Sequence, residues 1–288
     1  MIPRPFEYHA PRSLPDAIGL LSQYGDEAKL LAGGHSLLPM MKLRFAQPGH
    51  LIDLGKVPGL KGIYDAGNEI RIGAMTTENE LIWSELLQQK CPLLVEAARL
   101  ISDPQVRYLG TLGGDISHGD PGNDHPAIML ALDASFVLSG PSGERIVAAS
   151  EFFLGTYYTA LESTEILTEI RIPTPAAGTG YCYSKLKRKT GDFATAATAV
   201  LLRMNGSLVE HVSIALTNLG PTALKAADAE AALQGEEIND QTIAQAAKLA
   251  MSVCEPVADL RGDIEYKTAM AGVMTERALR TAYSRASR

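Results

Sequence analysis

Two short segments, each with a Gly-Gly pair between a small or apolar residue and a polar one, constrain this chain most. They are Ala-Gly-Gly-His-Ser at residues 32–36 and Thr-Leu-Gly-Gly-Asp at residues 111–115. Glycine is needed where a Cβ atom would block close approach or where φ is positive. Neither segment has the G-x-G-x-x-G spacing of a Rossmann turn. Each can be a plain tight turn, or the two can be halves of one phosphate site.

The phosphate hypothesis rests on the chemistry of a diphosphate, which carries adjacent negative charges. The chain itself has a net charge of −7, so local donors would have to hold such a group. Consecutive backbone N–H groups in a bend can do this, and the hydroxyls of Ser36 and Thr111 would add to them. A loop rich in Asp, Gly and Asn, at residues 102–126, lies beside the second segment. These features favour a divided phosphate site, although spacing alone leaves both interpretations open.

Length, charge and cysteine usage exclude several other classes of protein. A chain of 288 residues suits two domains, and its pI near 5.4 argues against nucleic-acid binding. No apolar run reaches the roughly 20 residues that a membrane helix needs, and the N-terminus lacks the apolar region of a secretion signal. Cys91, Cys182 and Cys254 form no C-x-x-C pair. We therefore expect a cytoplasmic protein with free thiols and no iron–sulfur cluster of its own.

The spacing of apolar residues predicts mixed secondary structure up to about residue 172. Ser13 is expected to cap a helix that has proline in its first turn, and Thr77 and Glu80 form a capping-box pattern. Residues 102–126 are expected to be a loop. The predicted helices are residues 13–21, 77–88, 92–100 and 127–132, and the predicted strands are residues 29–32, 50–54, 68–73, 134–139, 145–148 and 166–172.

Residues 173–180 contain two prolines and two glycines, which indicates a linker. A domain boundary is therefore predicted near residue 177. Beyond it, residues 181–187, 196–203 and 207–216 are predicted strands of an antiparallel sheet, with Asn205-Gly206 as a hairpin turn. Residues 238–254 and 266–285 carry apolar residues at helical spacing.

Other candidate sites are weaker. His35, His118 and His125 have no second ligand at a useful spacing, so loop donors or exposed imidazoles are favoured over a metal site. The basic run at residues 185–189 is expected to be a solvated face or a contact with an acidic partner. No G-x-S-x-G motif is present. Three aspartates beside Pro and Gly are interpreted as loop-forming residues: Asp103, Asp120 and Asp124.

Five runs of sequence carry a resemblance to a known family: LLAGGHSLLPMMKLR (30–44), IGAMTT (72–77), SDPQVRYLGTLGGD (102–115), GDPGNDHPA (119–127) and KLKRKTGDFATAA (185–197). Over essentially its whole length the chain resembles the medium, FAD-binding subunits of molybdenum hydroxylases. Two stretches, DPQVRY and KRKTGDFATAA, most resemble members that oxidise carbon monoxide. The implied fold is α+β, with an FAD-binding domain of the vanillyl-alcohol oxidase (PCMH) type at residues 1–177. Its subdomains would span about 1–54 and 55–177, and a C-terminal domain with a three-stranded antiparallel sheet and helices would span 178–288.

The resemblance also implies a set of residues that contact non-covalent FAD. Asp115 stands where the family usually has Asn, so its carboxylate is expected to accept from a hydroxyl or a backbone N–H rather than face phosphate. Phe193 stands where relatives often have Tyr. No catalytic or metal-ligating residue is implied. The implied cofactor contacts are Lys29, Ala32, Gly33, Gly34, His35, Ser36, Ile101, Thr111, Leu112, Gly113, Gly114, Asp115, Asp124, Leu167, Lys185 and Phe193.

For function, the resemblance implies an electron-transfer subunit. Molybdopterin would lie on a large partner subunit and [2Fe-2S] clusters on a small one, in a dimer of heterotrimers. The assembly would convert CO and water to CO2, two electrons and two protons, with a quinone or cytochrome as acceptor, in the cytoplasm or held by partners at the inner face of the membrane. The alternatives are another molybdenum hydroxylase (xanthine, nicotine or aromatic-CoA type), a self-sufficient FAD oxidoreductase, and a scaffold without a cofactor.

Overall fold

A computed structural model describes residues 1–286 and begins with a small α/β unit. Its strands form a parallel sheet in the order β1-β3-β2. Ser13 caps the first helix as predicted, because its hydroxyl accepts from the N–H of Asp16. The elements are β1 (Glu7–His9), α1 (Leu14–Tyr24), β2 (Ala28–Leu31), α2 (Leu37–Leu43) and β3 (His50–Asp53).

The second unit is a five-stranded antiparallel sheet, in the order β4-β5-β10-β6-β7, covered by helices. Every strand predicted between residues 68 and 172 is present, with bounds shifted by two residues at most. The elements are β4 (Ile63–Asp65), β5 (Glu69–Gly73), α3 (Glu78–Trp83), α4 (Glu85–Lys90), α5 (Pro92–Leu100), α6 (Pro104–Leu109), α7 (Leu112–His118), α8 (His125–Ala131), β6 (Ser135–Gly140), β7 (Gly143–Ala148), α9 (Ala149–Phe152), β8 (Phe153–Gly155), β9 (Tyr158–Thr159) and β10 (Ile166–Pro173).

Two predictions for this unit are wrong. The single helix at residues 77–88 is broken at Ser84, whose ψ of 112° is extended and whose hydroxyl caps α4. The loop at residues 102–126 contains α6 and α7, which begin after the capping side chains of Asp103 and Thr111. The second glycine segment is therefore the first turn of a helix rather than a loop.

The C-terminal unit is an antiparallel sheet in the order β11-β12-β13-β14, with three helices. The sheet has four strands instead of the predicted three, because the two-residue β14 adds to its edge. Asn205 pairs with Leu208, so the hairpin turn is Gly206-Ser207, one residue later than predicted. The elements are β11 (Gly180–Leu186), β12 (Ala196–Asn205), β13 (Leu208–Thr217), β14 (Leu224–Lys225), α10 (Ala227–Leu233), α11 (Asp240–Ser252) and α12 (Ile264–Ala286).

The two faces of the C-terminal sheet belong to different cores. Val200 and Ile214 pack with α10–α12, whereas Ala199, Leu201 and Tyr183 join the core around the five-stranded sheet. The C-terminal unit is thus fixed against the preceding one by buried apolar surface, which stabilises their relative position. The boundary near residue 177 stays a prediction. Among the described residues, no helix has the length and apolar character to cross a membrane.

Candidate cofactor-binding site

A cavity of about 680 Å³ lies where the three units meet. Small-molecule and cofactor sites occupy about 300–1,000 Å³, so the volume is suitable for a ligand of substantial size. Both glycine segments line this cavity, as do Lys29, Ile101 and Leu167 from the wall and Lys185 and Phe193 from the C-terminal unit. The fold therefore brings together all the predicted contact residues except Leu112, whose side chain is fully buried in the core.

The first glycine segment joins β2 to α2 and carries free backbone donors. Gly34 has a φ of 73°, in the left-handed region that glycine adopts readily. Within the part of the chain that the structure describes, the N–H groups of residues 33–36 donate to no protein acceptor. Successive unpaired N–H groups on the wall of a cavity are suited to binding an anion. Ser36 makes no side-chain cap of α2, so its hydroxyl is also available.

The second segment behaves differently, because the N–H groups of residues 112–115 are already engaged within the protein. The expectation that both segments present free amides is therefore wrong for these four residues. The remaining donors are the Thr111 N–H, which has no acceptor among the described residues, and the Thr111 hydroxyl, which accepts in the helix cap and keeps its proton for another acceptor. The engaged pairs are Leu112 N–H to Thr76 O, Gly113 N–H to Ala74 O, Gly114 N–H to Thr111 Oγ1, and Asp115 N–H to Thr111 O.

The glycines allow the two segments to lie against each other. A Cβ atom on Gly33 would lie 2.2 Å from the carbonyl oxygen of Leu109, just before the second segment. A Cβ atom on Gly114 would lie 2.8 Å from Thr111 Oγ1 and 3.6 Å from the Cβ of Ala32. Side chains at these positions would separate the segments or fill the space beside them. The residues present therefore fit a phosphate-bearing cofactor, with donors on one segment and close backbone packing from the other.

Asp115 also fits such a cofactor, although not in the expected way. Its Oδ2 atom is buried and has no hydrogen-bond partner, so the predicted hydroxyl or N–H donor to this oxygen is absent from the described residues. Burial raises the pKa of Asp115 to about 7, with the charge of His125 opposing and those of Glu78 and Asp124 adding to the rise. A carboxyl that is partly protonated at neutral pH can donate to a phosphate or sugar oxygen instead of repelling it.

Beside Asp115 lies a buried ion pair that was not identified from the sequence. His125 Nε2 is 2.8 Å from Glu78 Oε2, and neither side chain is accessible to solvent beyond 3%. Burial acts to lower the pKa of His125, but the charge and hydrogen bond of Glu78 outweigh it and raise this pKa to about 9. The imidazole is thus cationic at neutral pH, and the expectation of an exposed histidine or loop donor at this position is wrong.

Asp124 is the point where the C-terminal unit completes the wall. Lys185 Nζ lies 2.6 Å from Asp124 Oδ2, and the two side chains are 1% and 6% exposed. The hydroxyl of Tyr183 donates to the other carboxylate oxygen. Phe193 is half exposed, and the guanidinium of Arg261 lies 5.5 Å from the centre of its ring. Asp124 is therefore held by protein donors through both oxygens.

These features define a class of protein: one with a cavity suited to a phosphate-bearing cofactor, lined by the first two units and closed by the C-terminal unit. Comparison with known proteins identifies the family. Residues 4–175 match the FAD binding domain in molybdopterin dehydrogenase, and residues 181–282 match the CO dehydrogenase flavoprotein C-terminal domain. The chain belongs to this family of molybdenum-hydroxylase flavoproteins, as its resemblance implied, and FAD is the cofactor for which the family's domain is described.

Individual relatives agree over the whole length. The chain is 58% identical over 285 residues to the carbon monoxide dehydrogenase medium chain of Hydrogenophaga pseudoflava, covering 99% of each. It is 50% identical over 286 residues to that of Afipia carboxidovorans, again covering 99% of each. The fold superposes with a TM-score of 0.98 on the solved carbon monoxide dehydrogenase from H. pseudoflava that lacks the Mo-pyranopterin moiety, at 61% identity and 99% coverage of each chain. The α+β fold class predicted from the sequence is confirmed.

Proposed function

We propose that this chain is the FAD-carrying electron-transfer subunit of a molybdenum hydroxylase that oxidises carbon monoxide with water to CO2, two electrons and two protons. The observation that carries the proposal is the row of N–H groups at residues 33–36, which have no acceptor among the described residues and lie on a cavity that the second glycine segment also lines. The choice of carbon monoxide rests on relatives. Two carbon monoxide dehydrogenase medium chains are 58% and 50% identical, whereas medium chains of glyceraldehyde dehydrogenase and nicotine 6-hydroxylase reach 33% and 34%.

The residues of this chain bind and position the cofactor. The N–H groups of residues 33–36 and the hydroxyls of Ser36 and Thr111 hold the diphosphate, while Ile101 and Leu167 provide apolar wall. Phe193 contributes an aromatic ring at the mouth of the cavity. When bound, FAD supplies one- and two-electron redox chemistry that no side chain here provides. We propose no general acid or base in this chain.

The cysteines support an external source of electrons. Burial raises the pKa of Cys91 to about 12, that of Cys182 to about 11 and that of Cys254 to about 12. Such thiols stay protonated, and metal clusters need thiolates. We therefore propose that [2Fe-2S] clusters on a small partner subunit deliver electrons to this chain and that molybdopterin is held by a large one, in a dimer of heterotrimers. A quinone or cytochrome would accept the electrons, in the cytoplasm or with the complex held by its partners at the inner face of the membrane.

The test begins with flavin analysis of the native complex and of the full chain. We expect one FAD per chain, and reduction of the bound flavin in the complex by CO. Gly33→Val and Gly114→Val should abolish FAD retention while circular dichroism shows the remainder folded. A complex without flavin would refute the cofactor assignment. A flavin reduced by another hydroxylase substrate but not by CO would refute the substrate, and turnover of a small organic donor by the isolated chain would indicate a self-sufficient oxidoreductase.

A further inference from the structure

A second group of polar side chains lies on the parallel sheet, outside the wall of the cofactor cavity. Glu7 and His9 are two residues apart on β1, so they project from the same face of the strand. Glu7 pairs in register with His50 on β3, which brings the third side chain to that face. The chain thus places one carboxylate and two imidazoles together at the edge of the sheet.

The distances between their polar atoms suit a metal ion. His9 Nε2 is 3.1 Å from His50 Nδ1, and Glu7 Oε2 is 3.5 Å from His50 Nδ1 and 4.0 Å from His9 Nε2. Tetrahedral coordination with bonds of about 2.0–2.1 Å separates ligand atoms by roughly 3.3–3.4 Å. Small side-chain adjustments would therefore bring all three atoms onto one ion. Two imidazoles and one carboxylate are ligands that Zn²⁺ and related divalent transition metals accept.

The imidazoles are held in place before any ion binds. The ring of Tyr24 stacks on His50 at 3.7 Å between centroids and 13° between planes, and it stacks on His9 at 5.2 Å. The histidine side chains are 20% and 15% exposed, whereas Glu7 is 73% exposed and free to swing inward. The same 3.1 Å separation would also suit a hydrogen bond between two neutral imidazoles, so metal binding is the property that separates the two interpretations.

We propose that Glu7, His9 and His50 form a binding site for one divalent transition-metal ion of the Zn²⁺ type, with its remaining position open to water. The ion would fasten β1, which has only three residues, to the neighbouring strand. Because none of these side chains lines the cofactor cavity, this site is independent of FAD.

The experiment uses the full chain without a histidine tag, stripped with a chelator and titrated with Co²⁺ as a spectroscopic probe. We expect saturation at one equivalent with the visible d–d bands of a four-coordinate site, and displacement by Zn²⁺. His9→Ala and His50→Ala should each weaken binding at least about tenfold, since each removes a ligand. His211→Ala, at an exposed histidine on β13, is the matched control and should leave binding unchanged.

FAD content shows whether each variant remains folded. If a histidine variant loses FAD, Glu7→Gln becomes the decisive variant, because the exposed Glu7 side chain can be changed without disturbing packing. This substitution should weaken Co²⁺ binding severalfold. The proposal is overturned if the wild-type chain shows no saturable Co²⁺ binding. It is equally overturned if folded variants of the three proposed ligands bind as the wild type does, or if His211→Ala weakens binding to the same extent.

Discussion

Asp115 is the residue of the second glycine segment whose charge should affect the binding of a diphosphate. With a pKa raised by burial to about 7, the Asp115 carboxyl exchanges its proton within the neutral range. Below that pKa the group is neutral and can donate a hydrogen bond, and above it the group is a buried anion that would repel a nearby phosphate. The affinity for FAD should therefore fall as the pH rises through about 7.

Asp115→Asn isolates this effect, because the amide has a similar shape, stays neutral and always donates. We expect the FAD dissociation constant of the wild-type chain to increase about fivefold between pH 6 and pH 8, which corresponds to a pKa of Asp115 about one unit higher in the bound state than its value of about 7 in the free chain. The variant should show little dependence on pH and bind more tightly than wild type at pH 8. Fluorescence titration of flavin-free chains measures both constants. Parallel pH profiles for the two proteins would contradict the assignment to Asp115.

At the scale of helices and strands, the N-termini of helices are easier to predict from the sequence than the breaks within them. The caps at Ser13 and Thr77 follow from local hydrogen bonds and are confirmed. The break at Ser84 was missed because the apolar spacing continues across it, and only the turn of the backbone shows that Ser84 caps a new helix. Residues 102–126 are rich in Pro and Gly, which predicts a loop, but they contain two helices of six and seven residues. Pro104 does not prevent the first of these helices because it occupies the first turn, where proline is tolerated.

The contact between the glycine segments gives a prediction at the same scale. Gly33→Ala adds one Cβ atom that would lie 2.2 Å from Leu109 O, a backbone atom that cannot rotate away. The two segments must then move apart, and we expect at least about a tenfold loss of FAD affinity, or roughly 1.4 kcal/mol. Measurement is by FAD titration together with urea unfolding of the flavin-free chain.

Gly19→Ala provides the matched control for that change. Gly19 lies within α1, and its added Cβ would meet nothing within 4 Å. Alanine is favoured over glycine inside helices by about 1 kcal/mol, so this variant should retain FAD and be as stable as wild type or more stable. If Gly33→Ala and Gly19→Ala bind FAD equally well, close packing of the segments is not needed for the site.

At the scale of the whole molecule, the buried ion pairs at the cavity, Asp124–Lys185 and Glu78–His125, depend on contacts that no local sequence pattern indicates. Lys185 and Asp124 are 61 residues apart, and His125 and Glu78 are 47 apart. The sequence indicated Asp124 and Lys185 through family resemblance, but their pairing arises only when the C-terminal sheet packs against α8. Glu78 and Tyr183 carried no sequence signal of their own. The free N–H groups of the first glycine segment could be predicted because they depend on local backbone geometry, whereas the engagement of the second segment and these buried pairs are products of tertiary packing.

The Asp124–Lys185 pair is the test of that packing, since it joins the C-terminal unit to the cavity. Removing one member leaves the other charge buried, which costs about 3–5 kcal/mol, so Lys185→Met and Asp124→Leu should each lower the free energy of unfolding of the flavin-free chain by that order. The double variant buries no unpaired charge, so its loss of stability should be smaller than the sum of the losses in the two single variants. The difference, which is the coupling energy between the two side chains, should be about 0.5–3 kcal/mol.

An exposed ion pair supplies the control for this cycle. Lys61 and Glu80 lie 3.5 Å apart with side chains 58% and 47% exposed, so Lys61→Met should change stability by no more than about 1 kcal/mol. Urea unfolding at pH 7 monitored by circular dichroism measures all four variants. If Lys185→Met lowers the free energy of unfolding no more than Lys61→Met does, then Lys185 and Asp124 do not form an ion pair that is shielded from water in the folded chain. In that case the C-terminal unit is held by apolar packing alone.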